Sequence, residues 1–267
     1  MNQPLFIIHR WRALIPEIMS SQIEQQQTVG TQESVRRAVP VFPVYSVIMV
    51  ACLVVVSLCE FKVDGSKTIM SGGETSILLA GFVKNAFING EYWRILTGMQ
   101  LHIGLIHLAF NCYALYVLGK LIEILSNRAH LIIVFLLAGI GGNILSLIFL
   151  PDGDSAGASG GILGFLGYLA VYGYKRRKLL PPEFLKNMLF NIGFIALYGV
   201  MLYRVIDNFG HLGGVLTGAL YGIFQISGDV YKDPRQISSK TEILGLIALG
   251  VFIATTIFSC LVLLKIF

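Results

Sequence analysis

Seven apolar stretches, each near the length that crosses a lipid bilayer, recur along this 267-residue chain. They fall at about 43–61, 100–124, 129–150, 157–174, 186–205, 210–227 and 242–264. In hydrocarbon every backbone N–H and C=O must find a partner within the chain, so continuous runs of this kind become α-helices. A β-barrel would show short alternating segments instead. With 55% hydrophobic residues and a mean hydropathy of +0.74, the chain is too apolar for a soluble domain. The expected fold is all-α, a polytopic membrane protein. The fourth and sixth runs are short and glycine-rich, so their assignment leans on their neighbours.

A net charge of +5 and a pI near 9.0 would suit nucleic acid in a soluble chain. In a membrane chain, clustered Lys and Arg mark cytoplasmic loops instead, and no nucleic-acid partner is expected. Placing the N-terminus inside puts fourteen of the twenty basic residues on the cytoplasmic side, including Arg36, Arg37, Lys120, Arg128, Lys232, Arg235 and Lys240. The block Lys175-Arg176-Arg177-Lys178 in a short loop weighs most, because short loops set orientation. The N-terminus is therefore expected in the cytoplasm, and the membrane is expected to be a bacterial plasma membrane. Cys52, Cys59, Cys112 and Cys260 lie in apolar segments without metal-ligand spacing and read as packing residues. Leu5-Phe6-Ile7-Ile8 is too short for the apolar region of a signal peptide.

Three parts follow. Residues 1–40 form a polar cytoplasmic segment, with a short surface helix expected around Trp11 to Met19. Residues 41–227 carry six spans, and 228–267 supply a linker and a seventh transmembrane helix. The long connection 62–99, with Glu91-Tyr92-Trp93-Arg94, is expected to be functional and to set its aromatic residues at the membrane interface.

Polar side chains at membrane depth are costly, and each marks a candidate site. Here they form three groups: His102, His107 and Asn111; Gly157-Ala158-Ser159-Gly160; and Gly210-His211-Leu212-Gly213-Gly214. Spans two, four and six all begin on the outer side. A rise of 1.5 Å per residue sets His107, Ser159 and His211 roughly 5–10 Å below that boundary. The chemistry they compose is a serine nucleophile with a histidine base. Ser159 begins a helix, where unpaired N–H groups favour a developing negative charge. Taken alone, Ser159 and its glycines would more often serve helix packing. His211 alone would more often bond a loop carbonyl.

The two are joined by glycine rows. Gly210, Gly214, Gly218 and Gly222 repeat every four residues along span six, and Gly157, Gly160, Gly164 and Gly167 line span four. Such rows let two helices approach closely enough for a direct Ser159–His211 bond. Asp207, four residues before His211, falls in the loop, so the proposal is a dyad. His107 and Asn111 share one face of span two and suit an oxyanion, although interhelical hydrogen bonding would use the same residues. His102 is read as structural. No zinc or other cofactor is expected.

These motifs resemble the rhomboid family of intramembrane serine proteases. Trp93-Arg94 is similar to the family's first-loop motif, and His102, His107 and Asn111 match its HxxxxHxxxN pattern. Gly157-Ala158-Ser159-Gly160 matches its GxSG nucleophile motif, and Gly210-His211 with Gly214 and Gly218 its catalytic-histidine helix. The resemblance implies a six-helix core with an added seventh helix. It also implies a structural pair between Arg94 and Glu123, and transmembrane protein segments as substrates, cleaved near the outer leaflet. One position departs: where the family carries an aromatic that stacks on the histidine, this chain has Leu163, which implies a looser hold on His211. The alternative is a catalytically silent rhomboid-like adaptor or chaperone that binds transmembrane helices.

Overall fold

The computed structural model describes residues 42–70, 73–229 and 231–266. The expected surface helix at Trp11–Met19 and the basic residues before Pro40 lie outside them. Eleven helices follow in order among the described residues. They are α1 (Val44–Asp64), α2 (Lys67–Met70), α3 (Glu74–Ala80), α4 (Lys84–Ile88), α5 (Arg94–Thr97), α6 (Leu105–Leu125), α7 (Arg128–Phe149), α8 (Ser159–Lys175), α9 (Pro182–Met201), α10 (Asn208–Gln225) and α11 (Ser239–Leu263). Five of them (α1, α6, α7, α9 and α11) are long and apolar enough to cross a membrane. The shorter α8 and α10 are packed among them. This is a multi-pass integral membrane protein with an all-α fold.

Local chemistry sets the helix ends. The Asn127 side chain accepts from Ala129 N at 2.8 Å and starts α7. Asp207 accepts from Gly210 N at 2.7 Å and starts α10, and Ser238 caps α11 through Thr241 N. Each satisfies an N–H with no intrahelical partner. Two helix starts differ most from the sequence expectation. Residues 100–104 form a loop that ends at Gly104, whose φ of 87° stops the apolar run from continuing as helix. His102 therefore precedes α6 rather than lying on it. The fifth span starts earlier than expected, because Pro182 at its first turn has φ preset for a helix and needs no N–H partner.

The interior is built on α8, which packs most extensively against α10, while α10 also lies along α7. Glycines make this possible. A Cβ on Gly214 would collide with the backbone of Gly160, and one on Gly218 with the backbone of Gly164. Gly142 lies against the Gly210 carbonyl, 2.5 Å from where a Cβ would sit. Around this contact sit Phe135, Phe165, Leu166, Tyr168 and Tyr172, all fully buried.

The connection 62–99 is folded. Arg94 lies buried at its centre, donating to Glu91 at 2.7 Å, Gly81 O at 2.9 Å and Leu78 O at 2.9 Å, with its guanidinium over Trp93. The seventh helix, α11, seats against this loop through Trp93 and Phe258, whose rings meet edge to face, and through the Gln100 amide, which donates to Phe252 O at 3.1 Å. At the other end of the bundle, buried Arg176 donates to Lys232 O at 2.6 Å, so the loops after α8 and α10 share one side.

Candidate active site

The nucleophile candidate sits where α8 begins. Gly157, with φ at 135°, turns the chain sharply into the helix, a conformation that side chains beyond glycine rarely adopt. Its N–H donates to Gly98 O at 2.9 Å, which fixes the turn to the end of the first loop. Ser159 Oγ lies 2.9 Å from His211 Nε2 on α10. Both residues are half-buried. When Nε2 accepts the serine proton, the neutral ring carries its own proton on Nδ1. That atom is buried and has no hydrogen-bond partner among the described residues. The structure thus brings two members together and gives the ring no carboxylate.

His107 closes the opposite side. A Cβ on Gly157 would lie 2.7 Å from His107 Cε1, 3.1 Å from its Nε2 and 3.8 Å from Ser159 Oγ. The ring nitrogen and the serine oxygen therefore flank the same small space. His107 Nδ1 accepts from Ile103 N at 3.2 Å. This bond uses the lone pair of Nδ1 and leaves the proton of the neutral ring on Nε2, as a donor facing the site. His102 packs edge to face on His107, with ring centres 5.3 Å apart, although sequence spacing pointed it elsewhere. The backbone N–H of His102 is held by the buried Glu60 carboxylate at 3.1 Å.

Asn111 is buried, and its amide donates to His107 O one turn back at 3.0 Å. One of its two N–H groups is spent within α6, leaving the second for any oxyanion. Arg94 and Glu123 are not a pair in this structure. Arg94 bonds Glu91 in its own short loop, whereas the Glu123 carboxylate accepts from Ser46 N at 2.9 Å and Ser46 Oγ at 2.7 Å. The physical reason is register. Glu123 lies near the end of α6 opposite the loop, and the loop has an acid of its own three residues before the arginine. Leu163 is buried in the hydrophobic core beneath the pair.

Sequence reasoning passed over a second polar group at this end. The Asp207 carboxylate, besides capping α10, accepts from Ser155 Oγ at 2.7 Å and from Ser146 Oγ on α7. Lys84, almost wholly buried, donates to Leu150 O at 2.6 Å nearby. Burial pushes its ammonium below the ordinary lysine range, opposed by the charges of Asp207 and Asp154. Also missed were Gly139, Gly141 and Gly142 on α7, which bring that helix against α10 and Met99. The small-residue spacing of Gly139, Gly141 and Gly142 is the signal in the sequence that marks this contact.

Fold and site together define a helical multi-pass membrane protein holding a serine–histidine pair within its bundle. The profile of the Rhomboid domain family matches residues 89–228, just over half of the chain, and the chain belongs to that family. It is similar to the rhomboid protease GluP of Bacillus subtilis (strain 168), 37% identical over 157 residues, 56% of this chain and 30% of that protein. RHOMBOID-like protein 2 of Arabidopsis thaliana is 38% identical over 160 residues, 56% of this chain and 48% of its own length. Rhomboid protease AarA of Providencia stuartii is 30% identical over 177 residues, 57% and 63% respectively. The match thus spans less than two thirds of each relative.

Proposed function

We propose that this chain is an intramembrane serine endopeptidase that cuts transmembrane segments of other membrane proteins near the outer leaflet. The observation that carries the reading is the 2.9 Å approach of Ser159 Oγ to His211 Nε2 inside the glycine-packed bundle. Relatives named as rhomboid proteases support it. Ser159 Oγ attacks the scissile carbonyl as its proton passes to His211 Nε2, and the carbonyl oxygen becomes an oxyanion. His107 Nε2–H, the free N–H of Asn111 and the first-turn N–H groups of α8 donate to it. Collapse breaks the C–N bond while His211 returns the proton to the leaving amine, and water then hydrolyses the acyl-enzyme. A substrate helix must open first, because its peptide bonds are internally hydrogen-bonded.

In this reading residues 41–227 form the protease core, the N-terminus is cytoplasmic and the membrane is a bacterial plasma membrane. The test is labelling by a fluorescent fluorophosphonate in detergent. Wild type should be labelled at Ser159, and Ser159→Ala and His211→Ala should be silent though folded. Their double variant should be no worse than either, as members of one catalytic unit are not additive. Wild type that resists the probe while binding transmembrane peptides would favour the silent adaptor instead.

A further inference from the structure

Two hydrogen bonds cross to the start of α10, one from the segment before α8 and one from the first residue of α8. Asp207 meets Ser155 at 2.7 Å, and four residues further on in both segments His211 meets Ser159 at 2.9 Å. On the α10 side the two are linked rigidly. The His211 N–H donates to Asp207 O at 3.0 Å, and the Asp207 carboxylate also holds Gly210 N. On the other side, Ser155 is fixed in both directions. Its N–H and C=O pair with Phe82 at 3.2 and 2.9 Å, and the turn at Gly157, whose positive φ glycine adopts freely, leads directly to Ser159. Ser146 on α7 makes a further bond to the same carboxylate oxygen and lies 3.3 Å from Ser155 Oγ.

The geometry points to Asp207 as a positioning residue. Through Ser155 and Ser146 it locks α10, α7 and the segment before the nucleophile into the register at which His211 reaches Ser159. The inference rests on the proteolytic reading of that pair. The competing assignment, Asp207 as the acid that orients the histidine ring, does not fit, since its two oxygens are committed to Gly210, Ser155 and Ser146 and His211 Nδ1 has no partner among the described residues. Nor is this only a helix cap. A cap needs one acceptor for one N–H, whereas here one carboxylate accepts from three segments at once, through Gly210 N, Ser155 Oγ and Ser146 Oγ. The two bonds differ in kind. The Ser159–His211 bond must form and break in every turnover, and the Ser155–Asp207 bond stays made, so the second holds alignment while the proton moves.

The test uses the full chain in detergent, with a fluorescent fluorophosphonate as probe and thermal unfolding as the check on folding. Asp207→Ala should lower the maximal labelling rate about 100-fold, the scale of a misplacement near 1 Å, and leave the probe concentration at half-maximal rate within about twofold. Ser155→Ala, which leaves the cap and Ser146 in place, should lose about tenfold with the same split. Asp207→Asn should recover most of the rate, because its amide oxygen accepts from Gly210 N while its N–H group donates to a serine oxygen. That rescue distinguishes geometry from charge. If Asp207→Ala does not fold, Ser155→Ala and Asp207→Asn decide alone. Wild-type rates in Asp207→Ala or Ser155→Ala would overturn the inference, as would an Asp207→Asn enzyme as slow as Asp207→Ala. Labelling that survives Ser159→Ala would instead overturn the proteolytic reading itself, which separates the two failures.

Discussion

Substituting Gly214 by alanine tests whether close approach of α8 and α10 is what assembles the pair. The added Cβ would overlap the Gly160 carbonyl oxygen and sit 2.9 Å from its carbon and 3.2 Å from its Cα. Ordinary contacts between such atoms lie at roughly 3.5–4.0 Å, so the helices must part by about 1 Å. All three obstructing atoms are backbone, so no rotamer change relieves them. Strain of this kind costs about 1–3 kcal/mol. Gly160 adjoins Ser159, and Gly214 lies less than a turn from His211, so most of the displacement falls on the pair. A bond of 2.9 Å stretched by about 1 Å is no longer a hydrogen bond. The labelling rate with a fluorophosphonate should fall about 100-fold, and valine should do worse than alanine. Gly222→Ala should be mild, because its nearest neighbours are the side chains of Val171, Ile226 and Tyr168 at 3.2–3.3 Å. Gly193→Ala and Gly250→Ala, which meet nothing within 4 Å, serve as controls. A Gly214→Ala protein that is stable in detergent and labels at the wild-type rate would refute the packing argument.

Three further outcomes are expected. Asn111→Ala should lower the maximal labelling rate by about 10²–10³ with little effect on probe binding; a change confined to thermal stability would make its bond to His107 O its whole role. Arg94→Ala and Glu123→Ala should each destabilise by about 1–3 kcal/mol, since each strands buried partners. Unfolding of the double variant should equal their sum within about 0.5 kcal/mol, because the two side chains share no contact, and a larger coupling would restore the pair the family resemblance implied. Cysteines placed in the loops at 176–181 and 228–238 should react only from the cytoplasmic side, and one in 62–99 only from outside; labelling of the first two from outside would invert the site.

Much of the molecule was legible in the residues themselves. Continuous apolar runs admit one backbone solution in hydrocarbon, so the seven long helices and their order followed from composition along the chain, while the four short ones within 62–99 did not. Polar residues at depth are too costly to place casually, so Ser159, His211, His107 and Asn111 stood out against their surroundings. The four-residue glycine rows, read as a contact surface, correspond to the α8–α10 packing found here. Helix periodicity is local, and these were local signals.

What the tertiary structure decided is every partnership between residues distant in sequence. Charge complementarity alone allows Arg94 either Glu91 or Glu123, and only the folded loop, with the Leu78 and Gly81 carbonyls beside Glu91, selects the first. Glu123 turned instead to Ser46, 77 residues away, because α1 passes that end of α6. Asp207 read as a loop acid without a role, since nothing in the spacing of Ser146 and Ser155 announces that three segments converge on one carboxylate. The apolar run through residue 100 concealed the break at Gly104 that leaves His102 in the loop, its ring packed on His107. A hydrogen bond has a reach of about 3 Å, and which side chains come within it depends on how the helices are stacked, information carried by no single stretch of the chain.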